Sequence, residues 1–314
     1  MTVFPFSRPA AALTAVLLLL SSCAPGNSPA EASEFVFDTY ASYKVCGADA
    51  AHTLDLLSQR MNELNGIFDL CYDVPAGQLP ENAVYTDCLE LGRSFTEQYG
   101  PGVSMTCGSL TSLWGISDGK YHIPDENEIA AALAEVTDGT WLDFGAAAKG
   151  YACDEARRIL DTTGTQYAVI SFSSSTLLYG QKPDGLFRAG ITHPDGNGYL
   201  GIIESEAAFI STSGGYERYF EADGQRFTHI LDLETGRPAE TDLVSVTVIV
   251  PASAENGGIL SDWLSTLIYM EGTEELDKWM EYSEFSVIAA DESGKIYTDF
   301  DGFTPDSGSG YFLQ

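Results

Sequence analysis

The chain has 314 residues, of which 46 are acidic and 15 are lysine or arginine, so that its net charge is -31. A charge of this sign and size excludes binding to nucleic acid and docking to anionic lipid headgroups. The acidic residues are dispersed, which favours a role in solubility outside the cell. The length allows one large domain or two small ones, and the absence of an internal linker or repeat favours one.

The N-terminal segment has the pattern of a secretory signal. Arg8 precedes an apolar run over residues 10–20, which is too short to span a bilayer as a stable helix, and small residues follow this run. We therefore predict a signal peptide over residues 1–22.

Cys23 follows Leu-Ser-Ser, a pattern that looks like a bacterial lipobox. Cys23 is therefore expected to be lipidated as the mature N-terminus, with ordinary cleavage beside an incidental cysteine as the alternative. Residues 23–34, rich in Pro, Ser, Gly and Ala, are expected to form a flexible tether, and residues 35–314 the folded domain. This organisation predicts an extracytoplasmic protein with a lipid anchor in the cell membrane.

Five further cysteines, an odd number without a close pair, argue against a disulfide framework and against a zinc site. One bridge remains open at this stage, between Cys71 and Cys88, because an export compartment permits disulfides.

The first half of the domain is predicted to contain one strand and three helices. The strand shows alternating hydropathy, and the helices show apolar residues at helical spacing or a helix-start signal. In chain order these elements are a strand over 35–45, helices over 50–64 and 82–99, a loop-like run of small residues over 103–115 and a helix over 124–136.

Strands dominate the second half. After a helix that begins near Asp143 and runs to Leu160, the predicted strands cover residues 167–172, 176–179, 187–191, 199–204, 208–212 and 244–250, with a hairpin turn at Asp223-Gly224. Helices over 256–270 and 274–282 and a hairpin near 292–294 complete the chain. Strands in runs with irregularly placed helices predict an α+β fold with mixed and antiparallel sheets and packed helices.

Residues 143–150 form a strand-to-helix turn built almost wholly of small residues. Bare backbone and a helix N-terminus favour anionic groups such as phosphates, and Lys149 could add a positive charge. The alternative is a tightly packed, alanine-rich helix start with Lys149 in solvent.

Asp262 and Thr266 lie four residues apart and therefore share one face of the predicted helix over 256–270. A carboxylate and a hydroxyl at this spacing suit a hard cation such as Mg²⁺. The alternative is an exposed aspartate beside a threonine that bonds its own helix backbone.

Two further stretches gather hydroxyl groups. Residues 210–216 end a β-branched run in hydroxyls and two glycines, and the following hairpin brings His229 and Asp232 back towards them. Convergence of a hydroxyl cluster, a histidine and an aspartate is consistent with either a site or plain structure. Residues 168–176 run from a strand into several serines, which form either a loop or a ligand cradle.

Together these stretches resemble one family, the FAD:protein FMN transferases, also called ApbE-type flavin transferases. Residues 143–154 are similar to the family's D-L-G-x-I-A-K-G-Y-x-x-D, residues 261–266 to A-D-A-L-S-T, and residues 108–115 to G-P-L-x-x-L-W-G. Residues 211–216 and 229–238 resemble T-S-G-x-Y and H-I-I-D-P-x-T-G-x-P. The motifs occur in the family's order with matching spacing, so the resemblance covers nearly the whole domain.

The resemblance implies an enzyme that splits FAD, passes the FMN moiety to a Thr or Ser hydroxyl of an acceptor flavoprotein and releases AMP. Its cofactor would be Mg²⁺ and its substrate FAD, and its acceptor would carry an FMN-binding domain with a Thr/Ser flavinylation motif. The residues that the family pattern assigns are the metal ligands Asp262, Thr266 and the carbonyl of Ala146, the FAD contacts Phe37, Trp114, Gly115, Asp143, Lys149 and Ile230, and the candidate general base His229.

The chain departs from the family pattern at several positions of the flavin pocket. Ser171, Ser173 and Ser174 replace N-x-G-G, and Gly215 replaces the common aspartate after T-S-G. The family's serine-rich motif on the acceptor side is absent from residues 66–80. Two alternatives therefore stay open: an FAD pyrophosphatase that uses water as acceptor, and a non-catalytic flavin-binding lipoprotein.

Overall fold

The structure is a computed structural model that describes residues 29–314. The predicted signal peptide, Cys23 and the first part of the predicted tether lie outside the described residues. The helices are α1 (Ala50–Asp73), α2 (Ala83–Tyr99), α3 (Gly108–Trp114), α4 (Glu126–Asp138), α5 (Ala148–Thr162), α6 (Gly257–Glu271) and α7 (Leu276–Trp279). Short 3₁₀ turns occupy Ala76–Gln78 and Thr273–Glu275.

The strands are β1 (Ala30–Val36), β2 (Thr39–Gly47), β3 (Thr165–Phe172), β4 (Ser175–Gly180), β5 (Phe187–Thr192), β6 (Tyr199–Ser205), β7 (Ala208–Ser213), β8 (Tyr219–Ala222), β9 (Gln225–Thr228), β10 (Leu231–Asp232), β11 (Arg237–Pro238), β12 (Leu243–Pro251), β13 (Ser286–Asp291), β14 (Lys295–Thr298), β15 (Phe303–Pro305) and β16 (Phe312–Leu313). Nine of them form the main sheet, in the order β1-β2-β3-β4-β7-β12-β13-β14-β16. Within this sheet β14 and β16 are parallel, and the other neighbouring strands are antiparallel.

Both faces of the main sheet are covered. Helices α1, α5 and α6 pack on one face, and the three-stranded sheet β15-β6-β5 covers the other. In β12, Val246 and Val248 belong to the helix-side core and Ile249 to the opposite one, so the strand is buried on both faces and rich in β-branched residues. A third cluster joins α3 and α4 to the β8–β9 hairpin. The predicted α+β fold is confirmed.

The predicted strand over 35–45 is in fact a hairpin. Phe37 and Asp38 form its two-residue turn in the left-handed region, with φ of +53° and +54°. Glycine or asparagine usually marks such a turn, so the sequence carried no signal for it. Strand β1 begins at Ala30, inside the segment predicted to be a tether.

Other boundaries also differ from the prediction. Helix α1 continues to Asp73, and α3 occupies part of the run of small residues that was predicted to be a loop. Cys71 and Cys88 are both free thiols, so the disulfide between them does not form. Among residues 29–314, no helix is both long and apolar enough to cross a membrane.

Helices α5 and α6 approach each other closely through two glycines. A Cβ atom on Gly150 would lie 2.3 Å from the carbonyl oxygen of Gly258 and 2.7 Å from Cβ of Asp262. The buried carboxylate of Asp154 accepts the backbone N–H groups of Gly258 and Ile259 at 3.0 and 2.8 Å, which caps the start of α6. Burial raises the pKa of Asp154 to about 6. This contact fixes where α6 presents Asp262.

We predict that Gly150→Ala destabilises the protein by about 1–3 kcal/mol, because the added methyl group must push α5 and α6 apart. Urea denaturation followed by circular dichroism measures this change. Gly66→Ala is the matched control, since Gly66 lies on the exposed side of helix α1 with no atom within 4 Å of the added Cβ. That control is expected to gain about 0.5–1 kcal/mol from helix propensity. Equal stability of the two variants would contradict the close helix contact.

Candidate active site

A cleft of about 2650 Å³ opens where α5 begins, α6 passes and the chain after β7 turns into the β8–β9 hairpin. Eight of the ten residues predicted to bind FAD or Mg²⁺ or to act as base line this cleft: Phe37, Asp143, Ala146, Lys149, His229, Ile230, Asp262 and Thr266. Trp114 and Gly115 are not among the lining residues. The structure thus brings together residues up to 229 positions apart in the sequence, from Phe37 to Thr266.

Asp262 is a buried carboxylate at the floor of the cleft, with only 3% of its surface exposed. One of its oxygens accepts the backbone N–H of Gly150 at 2.9 Å, and the other accepts the hydroxyl of Ser175 at 3.3 Å. Each oxygen keeps a second lone pair, because an ionised carboxylate offers about four acceptor positions. The alternative interpretation, in which Asp262 is an exposed aspartate, is therefore wrong.

Thr266 follows one turn later on α6, and its hydroxyl lies 3.2 Å from the carbonyl oxygen of Asp262. The same hydroxyl lies 3.0 Å from that of Ser213, which in turn lies 2.8 Å from the hydroxyl of Ser265. The threonine does bond its own helix, as the alternative supposed, but it also belongs to a buried hydroxyl network between α6 and β7. This network fixes its rotamer.

The proposed metal ligands that line the cleft are all oxygen atoms: the Asp262 carboxylate, the Thr266 hydroxyl and the backbone carbonyl of Ala146. Oxygen donors are the ligands that Mg²⁺ uses in proteins, together with water and substrate phosphates. The residues present therefore fit this ion chemically. Within residues 29–314, no group of three or more His, Cys, Asp or Glu side chains is placed to hold a metal ion by itself.

Asp143 and Lys149 border the start of α5. The Asp143 carboxylate accepts the backbone N–H of Gly145 at 2.6 Å, which closes the turn before the helix. A Cβ atom on Gly145 would lie 2.9 Å from that carboxylate, which disfavours a larger residue at this position. Lys149 is half-buried and lines the cleft rather than lying in open solvent.

His229 stands in the cleft wall with a defined tautomer. Its Nδ1 lies 3.1 Å from the carbonyl oxygen of Arg218, and a carbonyl can only accept, so Nδ1 carries the proton. Nε2 is then left as an unprotonated base. Burial, followed by the positive charge of Arg218, lowers the pKa of His229 to about 4, which keeps the ring neutral at physiological pH.

Arg218 is a cleft residue that sequence reasoning missed. Most lysine and arginine side chains of the described part form ion pairs, and the cleft residues Lys120 and Arg226 are among them. Lys149 and Arg218 form no ion pair within residues 29–314, although both are half-buried and the protein carries three times more acids than bases. The sequence does not show which lysines and arginines of the described part lack an ion-pair partner, because ion pairing is a property of the folded state.

Trp114 and Gly115 differ from the expectation. The Trp114 side chain is 1% exposed, its indole N–H donates to the carbonyl of Gly236 at 2.8 Å, and its ring packs against Phe227 at 5.7 Å. Gly115 ends α3 with φ of +60°, where a Cβ would lie 2.8 Å from the carbonyl oxygen of Lys120. Both residues pack against elements that line the cleft, and neither is itself among the lining residues.

The hairpin residue Asp232 is also structural. Its carboxylate accepts the backbone N–H of Glu234 at 2.8 Å and the hydroxyl of Thr235 at 2.9 Å, so it shapes the turn beyond β10. Local packing explains why position 215 is glycine, where the family commonly has aspartate. A Cβ there would lie 2.5 Å from the phenol oxygen of Tyr269 and 2.8 Å from Cγ2 of Thr228.

Solved ApbE proteins have the same fold. The ApbE protein of Thermotoga maritima superposes with a TM-score of 0.74 at 23% identity, covering 86% of this chain and 96% of that one. The flavinyl transferase ApbE of Pseudomonas stutzeri gives a TM-score of 0.71 at 23% identity, covering 90% and 95%. The fold is therefore that of these ApbE proteins.

The sequence comparisons give the family. Residues 39–289 match the model of the ApbE family, so the chain belongs to that family. Similar proteins named FAD:protein FMN transferase include one from Klebsiella pneumoniae, 28% identical over 79% of this chain and 83% of the relative, and one from Salmonella typhimurium, 30% identical over 62% and 61%. The family and the enzyme class predicted from the motifs are confirmed.

Proposed function

We propose that this protein is a Mg²⁺-dependent transferase that moves the FMN moiety of FAD onto a Thr or Ser hydroxyl of an acceptor flavoprotein and releases AMP. The observation that carries the proposal is the convergence of three groups in one cleft. These are a neutral histidine with a free Nε2, two cations that form no ion pair with any residue of the described part, and a buried set of oxygen donors. Family membership supports the flavin-transfer class.

In the proposed reaction, the hydroxyl oxygen of the acceptor forms a bond to the phosphorus of the FMN moiety. The bond from that phosphorus to the bridging pyrophosphate oxygen breaks, and this oxygen leaves with AMP. The hydroxyl proton passes to Nε2 of His229, which its neutral state allows. Lys149 and Arg218 line the same cleft, so their charges offset those of the phosphates as the leaving group separates.

Asp262, Thr266 and the carbonyl of Ala146 would hold Mg²⁺ in this scheme. When bound, the ion offsets negative charge on phosphate oxygens. The protein's own contribution is to hold the carboxylate and hydroxyl in place through Gly150, Ser175 and Ser213 before the ion or substrate arrives.

We predict that Arg218→Gln weakens FAD binding about 10- to 100-fold, because a charge-assisted hydrogen bond to phosphate contributes about 1.5–3 kcal/mol. Flavin fluorescence titration measures the change. Riboflavin, which lacks phosphate, is expected to bind both forms equally. Arg226→Gln is the matched control, since Arg226 also lines the cleft but pairs with Glu221 at 3.3 Å. An unchanged FAD affinity in Arg218→Gln would exclude Arg218 from phosphate binding.

The decisive test of the proposed function is mass spectrometry of an acceptor domain after incubation with FAD and Mg²⁺. An added FMN moiety, with AMP in equal amount, is the expected result. FMN and AMP formed at the same rate without acceptor would indicate the pyrophosphatase instead. FAD binding that survives Mg²⁺ chelation and yields no AMP would indicate a non-catalytic flavin-binding protein.

The proposal extends to the location and partner of the enzyme. The signal and the Leu-Ser-Ser-Cys pattern support export and lipidation at Cys23, and the acceptor would be an extracytoplasmic protein with an FMN-binding domain, such as those of membrane redox complexes. Mass spectrometry of the N-terminal peptide of protein from its native host tests this. A mature N-terminus without acyl chains would refute the anchor.

A further inference from the structure

Strand β5 lies at an open edge of the three-stranded sheet. The order of that sheet is β15-β6-β5, and within residues 29–314 β5 pairs with β6 alone. An unpaired strand edge presents a row of N–H and C=O groups to which another chain can bind. Residues 189–192 of β5 all line the cleft. Because successive side chains of a strand point to opposite faces, a cleft that meets four consecutive residues runs along the edge of the strand.

The backbone groups of β5 point away from β6 at alternate residues. Glu204 of β6 donates its N–H to Gly302 at 2.8 Å, on the side of β15. Neighbouring residues of a strand direct their backbone groups to opposite sides, so Ile203 directs its groups to β5, where it is opposite Ala189. The N–H and C=O of the next residue, Gly190, are therefore directed to the open edge.

Thr192 has the same direction as Gly190. The residue after it, His193, donates its N–H to Gly198 at 3.1 Å within the β5–β6 connection, so the backbone groups of Thr192 point the other way. Gly190 also has no side chain that would keep a second strand at a distance. An added Cβ at this position would lie 2.5 Å from the ring of Tyr199, which disfavours any larger residue.

The opposite edge of the same sheet is blocked. That edge is β15, which contains Pro305 opposite Gly201 of β6. Proline has no N–H, and proline on an edge strand hinders pairing with a further chain. Strand β5 contains no proline. The small sheet is therefore protected at its β15 edge and open at the edge that lines the cleft.

Apolar side chains lie beside the open edge. Ile191, Ile203 and Ile210 belong to the core between the small sheet and the main sheet, and all three also line the cleft. A strand added to β5 would extend the small sheet, so every second side chain of that strand would face these isoleucines. We therefore expect apolar residues at alternate positions of a segment that binds there.

A short series of contacts connects this edge with the proposed base. The ring of His193, which follows β5, packs on that of Tyr311 with centroids 5.3 Å apart. Burial raises the pKa of Tyr216, and Tyr311 is among the groups that raise it further, so these two phenols are neighbours. Two residues after Tyr216, the carbonyl of Arg218 accepts Nδ1–H of His229. The open edge and the base thus belong to one continuous cleft wall.

The chemistry of the edge distinguishes between possible occupants. Phosphates need cations, whereas Arg188, the one charged residue of β5, pairs with Glu204 at 3.1 Å and is not among the cleft-lining residues. Alternating N–H and C=O groups beside apolar side chains are complementary to an extended polypeptide instead, since its main chain repeats at the same spacing.

We propose that the open edge of β5 binds the acceptor protein as an added β-strand, which carries the Thr or Ser hydroxyl towards His229. The bound segment is extended and has an apolar residue at every second position. This inference rests on the proposed function, because it states how the acceptor of that reaction is held.

Singly N-methylated forms of one labelled peptide test the inference on the unaltered protein. The peptide alternates valine and threonine over about eight residues, an ordinary strand length. N-methylation removes one N–H and adds bulk, so binding should weaken about tenfold at every second position and stay within about twofold at the positions between. Fluorescence anisotropy measures this pattern. No binding of the parent peptide, or a loss that does not alternate, would overturn the inference.

Two substitutions at Thr192 then locate the peptide on β5. Thr192→Pro removes an N–H that points away from β6, so the β5–β6 ladder keeps its hydrogen bonds, and edge strands tolerate proline at such positions. Peptide affinity is expected to fall about tenfold while FAD affinity stays within about twofold. Thr192→Val is the matched control, because it keeps the N–H and a β-branched side chain, and it should bind the peptide like the wild type.

Contrary outcomes are distinguishable. If the wild type modifies an acceptor domain and Thr192→Pro does so with unchanged KM, strand addition at β5 is refuted while the proposed function stands. If Thr192→Pro converts a dimer into a monomer and leaves that KM unchanged, the edge joins two copies of this chain and the inference is wrong. If the wild type modifies no acceptor, the proposed function fails, and the N-methylation pattern still decides whether β5 adds a strand.

Discussion

Replacing Asp262 by asparagine is expected to reduce FMN transfer at least about a thousandfold, because it removes the one carboxylate proposed to bind Mg²⁺ at the transferring phosphate. The variant should fold. The asparagine carbonyl can still accept the Gly150 N–H, and its amide group can donate to the Ser175 hydroxyl. Both hydrogen-bond partners of the buried carboxylate therefore keep a hydrogen bond in the variant.

The rate of acceptor modification as a function of Mg²⁺ concentration measures the effect. A second readout is the Mg²⁺-dependent rise in melting temperature with FAD present, which the variant should lose. Asp232→Asn is the control, since Asp232 bonds only its own turn and lies outside the cleft lining. A fully active Asp262→Asn protein would show that the metal site is wrongly assigned.

Replacing His229 by asparagine is expected to reduce FMN transfer about 10²- to 10⁴-fold, the usual contribution of a general base. Asparagine can still donate a hydrogen bond to the Arg218 carbonyl, as Nδ1 of the histidine does, but it offers no base in place of Nε2. FAD affinity should therefore change little. Single-turnover measurement of acceptor modification separates the chemical step from binding.

The pH dependence of the reaction gives an independent test of His229. A general base must be unprotonated to accept a proton, and the pKa of His229 in the free enzyme is lowered to about 4. The kcat/KM of the wild type should therefore stay level as pH falls from 7 to 5 and drop as pH approaches 4, whereas the residual rate of His229→Asn should lack this drop. Arg218→Gln removes a neighbouring positive charge and should move the drop to higher pH. A wild-type decline centred near the ordinary histidine pKa would contradict the buried, neutral base.

Much of the fold followed from local sequence pattern. The central strands were predicted well because both faces of the sheet are covered, which makes strands such as β12 rich in buried apolar and β-branched residues. The hairpin turn at Phe37 and Asp38 was missed because its left-handed conformation is held by Asn65, a residue 28 positions away. Helix α3 was missed because small residues give weak propensity, whereas its packing on α4 is a tertiary effect.

For the site, the sequence by itself determined which residues share a helix face or a turn. It placed Asp262 with Thr266 on one helix face, and Asp143 with Lys149 at one turn. It also determined the family, because motif order and spacing survive in the linear chain. Only the tertiary structure decided that Trp114 packs outside the cleft lining and that Arg218 lines the cleft without an ion pair among residues 29–314. The physical reason is that burial, pairing of charges and closeness of helices, as at Gly150 and Gly258, depend on residues far apart in sequence.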